Sequence, residues 1–259
     1  MKIRARALAP LVCAAVAFGA AGSASAADRY VALGDSYSSG TGTGSYTLDS
    51  GCQRGTYAYP YLASRQRPNT DLVFVACSGA TTDDVMANQI ASVTAATRLV
   101  SITIGGNDAG FTDVVTSCVT IGCGAAITRA NTYIRNTLPG KLNTVYAAIQ
   151  RQAPGATVAV LGYPRLFSSS SCAGTTGIDA SERTQLNGLA DLADTTIAAR
   201  AAAYGFSYRS AIPSWTGHAI CSGSAWLNGL NIFSIGESFH PNRNGHSSGY
   251  TPLVRSVIG

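Results

Sequence analysis

The sequence predicts an α/β protein, a three-layer α/β/α sandwich on a mainly parallel, five-stranded sheet. Two observations carry this expectation. Short apolar runs alternate along the chain with longer segments of helical pattern, as in repeated strand–helix–strand units. Three of the runs end in segments rich in Gly, Ser, Asn or Asp, and ligands of open α/β sheets gather at the carboxyl ends of strands.

The elements follow in order. Arg29–Leu33 reads as a strand running into Gly34-Asp35-Ser36, and Tyr57–Arg67 as a helix stopping before Pro68. Asp71–Ala76 is a buried-strand candidate, Asp83–Ile90 a helix, and Arg98–Ile104 a strand ending in Gly105-Gly106-Asn107-Asp108. Thr128–Ala153 has a long helical pattern interrupted near Pro139, and Thr157–Leu161 reads as the fourth strand. Ser181–Tyr204 is alanine-rich and helical, with Ser181 expected as N-cap and Gly205 as its stop. Phe206–Arg209 supplies a short fifth strand and Gly249–Ile258 a last helix. No repeat or linker divides the chain, so residues 27–259 are expected to form a single domain.

Residues 1–26 read differently. Lys2, Arg4 and Arg6 precede an apolar run from Ala7 to Ala21, and the stretch closes on Ala24-Ser25-Ala26. That is the pattern of a cleaved secretory signal, so the protein is expected to be secreted and extracellular. A lipoprotein anchor at Cys13 is disfavoured by Val12, where a small residue would stand. The segment holds three cations and no acid, so its loss lowers the formal charge from +5 to +2. With no basic cluster, nucleic acid is excluded as a partner.

Outside the signal lie six cysteines, Cys52, Cys77, Cys118, Cys123, Cys172 and Cys221. In an exported chain an even number reads as disulfides, and Cys118 and Cys123, enclosing a short loop, are natural partners. No CxxC pair or HxxxH spacing supports zinc, and neither a metal nor an organic cofactor is expected.

Ser36 at the end of the first strand can be exposed on a tight turn, but a serine hydroxyl needs a base to become a nucleophile. Of the histidines, His240 in Phe239-His240-Pro241-Asn242 has the strongest local argument, because Pro241 biases it away from helical backbone. His218 and His246 read as surface or hydrogen-bonding histidines. Asn107 offers a side-chain N–H and Gly79 an unobstructed backbone N–H, the donors a tetrahedral oxyanion requires. Asp35 and Asp108 read as braces for the turns holding Ser36 and Asn107.

These four blocks, Gly34-Asp35-Ser36, Gly79, Gly105-Gly106-Asn107-Asp108 and His240-Pro241-Asn242, resemble in order the motifs of the GDSL or SGNH hydrolases. The likeness, strongest to secreted actinobacterial lipases, esterases and phospholipases, spans nearly the whole chain after residue 26. It implies a flavodoxin-like sandwich, Ser36 as nucleophile, and His240 as general base and acid. The oxyanion hole would combine the N–H groups of Ser36 and Gly79 with the Asn107 side chain. It further implies the pairs Cys52–Cys77, Cys118–Cys123 and Cys172–Cys221. The family often places Asp three residues before its His, where this chain has Glu237. Either the Glu237 carboxylate or the main-chain carbonyl of Ser238 would then orient His240.

The expected substrate is a small-molecule or lipid fatty-acyl ester, triacylglycerol and phospholipid both included. Contact with lipid interfaces would be transient, the enzyme a monomer, and dissolved esters accepted without an interface. Tyr37, Phe111, Phe167, Trp215 and Phe239 are candidates for lining an acyl groove, or else for core packing. A carbohydrate O-acetyl esterase and a catalytically silent secreted binding protein are the alternatives.

Overall fold

The computed structural model describes residues 1–2, 26–120 and 122–259. Nearly all of the expected signal segment therefore lies outside the described residues. In chain order the elements are β1 (Asp28–Gly34), α1 (Ser36–Ser39), α2 (Tyr59–Gln66), β2 (Thr70–Phe74) and α3 (Thr82–Asp84). Then come β3 (Thr97–Thr103), α4 (Phe111–Thr120), α5 (Gly124–Asn136), α6 (Leu138–Gln152) and β4 (Thr157–Leu161). The chain continues through α7 (Ala180–Ala203), β5 (Ser207–Arg209) and α8 (Thr251–Ile258).

All five strands are parallel, in the order β2-β1-β3-β4-β5. The chain leaves β1 for one side of the sheet and returns to β3 on the other, so the winding reverses between β1 and β3. The crevice at such a switch point is where α/β sheets place their ligands. Here it opens directly over the residues that follow β1 and β3, namely Ser36 and Gly105–Asn107.

Tyr30, Val31, Ala32 and Leu33 are all solvent-inaccessible. Successive strand residues point to opposite faces, so both faces of β1 are covered. The covering helices form two groups. α2 and α8 pack on each other and on β2 and β4, while α5, α6 and α7 pack together, with α7 also against β5. This is the expected sandwich, with an entirely parallel sheet.

Several local expectations change. The capping residue of α7 is Asp179 and not Ser181: its carboxylate accepts from Glu182 N at 2.8 Å, and the Glu182 carboxylate accepts from Asp179 N at 3.0 Å. This reciprocal box satisfies two free donors of the first turn. The segment expected as one helix at 83–90 is α3 followed by a π-helical turn, Val85–Gln89, and a 3-10 turn, Ile90–Ser92. Helix α4 was not expected, since β-branched residues dominate Phe111–Thr120. Three disulfides join Cys52 to Cys77, Cys118 to Cys123 and Cys172 to Cys221.

Candidate active site

Ser36 is the first residue of α1, and two hydrogen bonds and a glycine shape its turn. Asp35 N donates to Thr103 O at the end of β3 (3.0 Å), and the Asp35 carboxylate accepts from Tyr37 N (3.0 Å) as the helix cap. Gly34 has φ +125°, and a Cβ there would lie 2.4 Å from Thr103 O. Only glycine lets β1 turn so sharply against β3. The Ser36 backbone N–H meets no protein acceptor among the described residues, as befits the first turn of a helix.

His240 arrives from the far end of the chain. Its Nε2 lies 2.8 Å from Ser36 Oγ, and its Nδ1 lies 2.9 Å from Ser238 O. A carbonyl can only accept, so Nδ1 carries the proton and Nε2 presents its lone pair to the Ser36 hydroxyl. The backbone is bound on both sides: Asn228 N donates to His240 O and Phe239 N to Asn228 O, each at 2.9 Å. The buried Tyr37 hydroxyl donates to Phe239 O at 2.7 Å, holding that residue at φ +62°.

Glu237 does not orient the ring in this geometry. Its Oε1 accepts from the Tyr46 hydroxyl at 2.7 Å, and that hydroxyl in turn accepts from Gly42 N at 3.1 Å. The short 3-10 turn Ile235–Glu237 aims residue 237 away from His240 and leaves the Ser238 carbonyl facing Nδ1. Glu237→Ala is therefore expected to change turnover on a soluble ester by no more than about fivefold, against orders of magnitude for a true triad acid. A thousandfold fall in kcat would return the carboxylate to the site.

The donors come from the ends of β2 and β3. Asn107 Nδ2 donates to Ala80 O at 3.0 Å, fixing the amide and leaving its second hydrogen available. The Asp108 carboxylate accepts from Thr82 N at 2.9 Å and from the Thr82 hydroxyl at 2.5 Å. Between these two anchors and the Cys52–Cys77 disulfide lies Gly79, at φ +82° with open space where a Cβ would be. Its backbone angle, not crowding, calls for glycine there. Asp108 thus braces the Gly79 and Asn107 loops against each other.

Tyr163 links the Ser36 turn to the Asn107 turn. Its hydroxyl donates to the Asp35 carboxylate and accepts from Gly106 N at 3.0 Å. Burial pushes the Asp35 carboxyl up to about 7, against the opposing pull of Tyr163 and the Tyr37 amide. Burial also lowers His240, to about 4, the Ser238 carbonyl pulling weakly the other way. A protonated His240 cannot take the Ser36 proton, so kcat/KM should fall only as pH drops through about 4. An unperturbed histidine would put that acid limb near 6.5. A pH–rate profile that halves near 6.5 would show the ring to be better solvated than this.

From Ser36 a groove, open to solvent, runs over α4, α5 and α7. Tyr37 and Phe111 line it, with Val114, Ile134, Leu186 and Leu189. The other aromatic candidates, Phe167, Trp215 and Phe239, are buried in the core. His246 is also buried and accepts from Tyr59 N at 3.2 Å, while His218 stacks on Trp226 at 3.6 Å.

The profile of the GDSL-like Lipase/Acylhydrolase family matches residues 32–247, a span containing every residue of this site. The chain belongs to that family. Among relatives of this GDSL-like hydrolase, Lipase 1 of Streptomyces coelicolor is 48% identical over 238 residues, covering 90% of this chain and 87% of its own. The extracellular lipase of Streptomyces rimosus has a solved structure that superposes with a TM-score of 0.85 at 46% identity, over 89% of this chain and all of that one. Phospholipase A1 of Streptomyces albidoflavus NA297 gives 0.85 at 45% identity, over 90% of this chain and all of that one. The class of chemistry is accordingly carboxylic ester hydrolysis.

Sequence reasoning missed Tyr163 and the clamp of Tyr37 on Phe239. The Gly162-Tyr163-Pro164 turn after β4 stood at the right end of a strand. Nothing local shows that a tyrosine there reaches across the sheet to Asp35.

Proposed function

We propose that the protein is a secreted lipolytic esterase cleaving fatty-acyl esters by a Ser36–His240 acyl-enzyme mechanism. The observation that carries the reading is the 2.8 Å approach of His240 Nε2 to Ser36 Oγ at the head of an apolar groove. Nε2 takes the hydroxyl proton as Oγ attacks the ester carbonyl. The charge on the former carbonyl oxygen meets the N–H groups of Ser36 and Gly79 and the free Asn107 hydrogen. The imidazolium, held through Nδ1 by Ser238 O, then protonates the leaving alcohol. Water, deprotonated by the same nitrogen, releases the acid. Proton transfer and charge stabilisation both come from the chain itself, so the step calls for no metal or cofactor.

The groove supports a long acyl group, since its walls are Val, Ile, Leu and Ala side chains with few polar neighbours. Phospholipids and triacylglycerols are the proposed substrates. Residues 1–26 would be the export signal and residues 27–259 a single, monomeric domain, with three disulfides suited to an oxidising exterior. No helix of the described residues is long and apolar enough to cross a membrane.

The test is product analysis across acyl lengths on phosphatidylcholine, triacylglycerol and acetylated xylan. Release of fatty acids from either lipid supports the reading, and acetate from xylan alone overturns it. Failure of Ser36 to react with a fluorophosphonate would favour a silent binding protein.

A further inference from the structure

The segment Leu230–Glu237 projects three large apolar side chains into water: Ile232 is 72% exposed, Phe233 92% and Ile235 67%. Single exposed apolar residues are ordinary, but three within four positions form a patch that needs an explanation. The tip is also built to stay out. The Asn231 side-chain oxygen accepts from Phe233 N at 3.0 Å, Ser234 N donates to Asn231 O at 3.2 Å, and Asn231 N donates to Ser238 Oγ at 2.9 Å. At its base Leu230 N donates to Gly174 O at 2.9 Å, close to the Cys172–Cys221 disulfide. These bonds keep the three side chains from folding back onto the core.

Two further features identify the occupant. The tip is an excursion from the pairing that carries His240: Asn228 bonds Phe239 and His240, and Asn242 N donates to Trp226 O at 2.9 Å. Whatever the tip enters is thereby brought to the mouth of the Ser36 site. Up to Glu237, which closes the segment, there is no Lys, Arg, Asp or Glu from residue 210 to 236, so attraction to an anionic surface is not its means of binding. We infer that Ile232, Phe233 and Ile235 form an anchor that docks the enzyme on the surface of zwitterionic or neutral lipid. Dissolved esters reach Ser36 without it. The inference rests on the lipolytic reading above and adds how aggregated substrate is met.

The test uses the full chain with Ser36→Ala, so that bound lipid is not consumed. Its co-sedimentation with phosphatidylcholine vesicles is compared with that of the same chain carrying Ile232→Ser, Phe233→Ser and Ile235→Ser. The triple change should weaken binding at least about tenfold, with little dependence on salt. In the chain with Ser36 intact it should leave hydrolysis of a water-soluble nitrophenyl ester within about twofold, as expected of exposed positions. Brominated phosphatidylcholine should also quench the fluorescence of a Phe233→Trp chain. Equal vesicle binding by both chains would overturn the anchor. So would a concentration-dependent dimer that the triple change abolishes in the absence of vesicle binding, since the patch would then seat a second copy. The soluble-ester assay reads Ser36 and sedimentation reads the tip, so failure of the hydrolytic reading is seen separately.

Discussion

Ser36→Ala is expected to lower ester hydrolysis by about 10⁴-fold or more, roughly 5 kcal/mol or more of transition-state stabilisation. The oxygen removed is the proposed nucleophile, and among the described residues Ser36 Oγ is the hydroxyl bonded to His240 Nε2, at 2.8 Å. The fold should be untouched, because the Asp35 cap and the Asp35–Thr103 bond use backbone and carboxylate atoms that the change keeps. Thermal melting should therefore stay within a few degrees of the parent. Adding His240→Ala should cost little more, since nucleophile and base act as one unit. Parallel kcat measurements on a nitrophenyl ester check this. More than about one per cent of parental turnover in Ser36→Ala would mean that another group can supply the attack.

Asn107→Ala should come next, with kcat reduced about 10²- to 10³-fold and KM little changed, the signature of a donor engaged only in the transition state. The amide is held by Ala80 O at 3.0 Å, so its free hydrogen costs no reorganisation when charge develops. Asn107→Asp is the sharper control. It keeps the shape but sets a carboxylate against the oxyanion, and should fall at least as far as the alanine variant. A large rise in KM at constant kcat in either variant would make Asn107 a substrate-binding residue and remove it from the oxyanion hole.

Most of the strands were legible because they are short apolar runs closed by turn residues; β4 was expected at its observed bounds. The mainly parallel direction of the strands was legible from strand–helix alternation. Ser36, Gly79, Asn107 and His240 stood out because they occupy strand ends or a proline-fixed loop, where local sequence already limits the backbone. Glu237 could not be settled in that way. Its carboxylate goes to Tyr46, 191 positions away, and neither residue carries a local sign of the other. The same holds for Tyr163 and Asp35, which are 128 positions apart. The groove was legible only in part: of the five aromatic residues, Tyr37 and Phe111 line it and the other three pack in the core. Much of its wall is small or branched aliphatic side chains of α5 and α7, whose pattern reads only as helix packing. The exposed Ile232, Phe233 and Ile235 escaped because apolarity in a sequence suggests burial, and only the fold shows three such residues left outside.

The bond between His240 and Ser36 joins residues 204 positions apart. Loop-closure entropy on that scale must be overcome before the pair can meet. No fragment holding only one end of the chain can hydrolyse an ester by this route, however well its own helices form. Turnover therefore reports the finished tertiary structure rather than any local element. During refolding, ester cleavage should return with the slowest loss of the unfolded population, after helical signal has recovered.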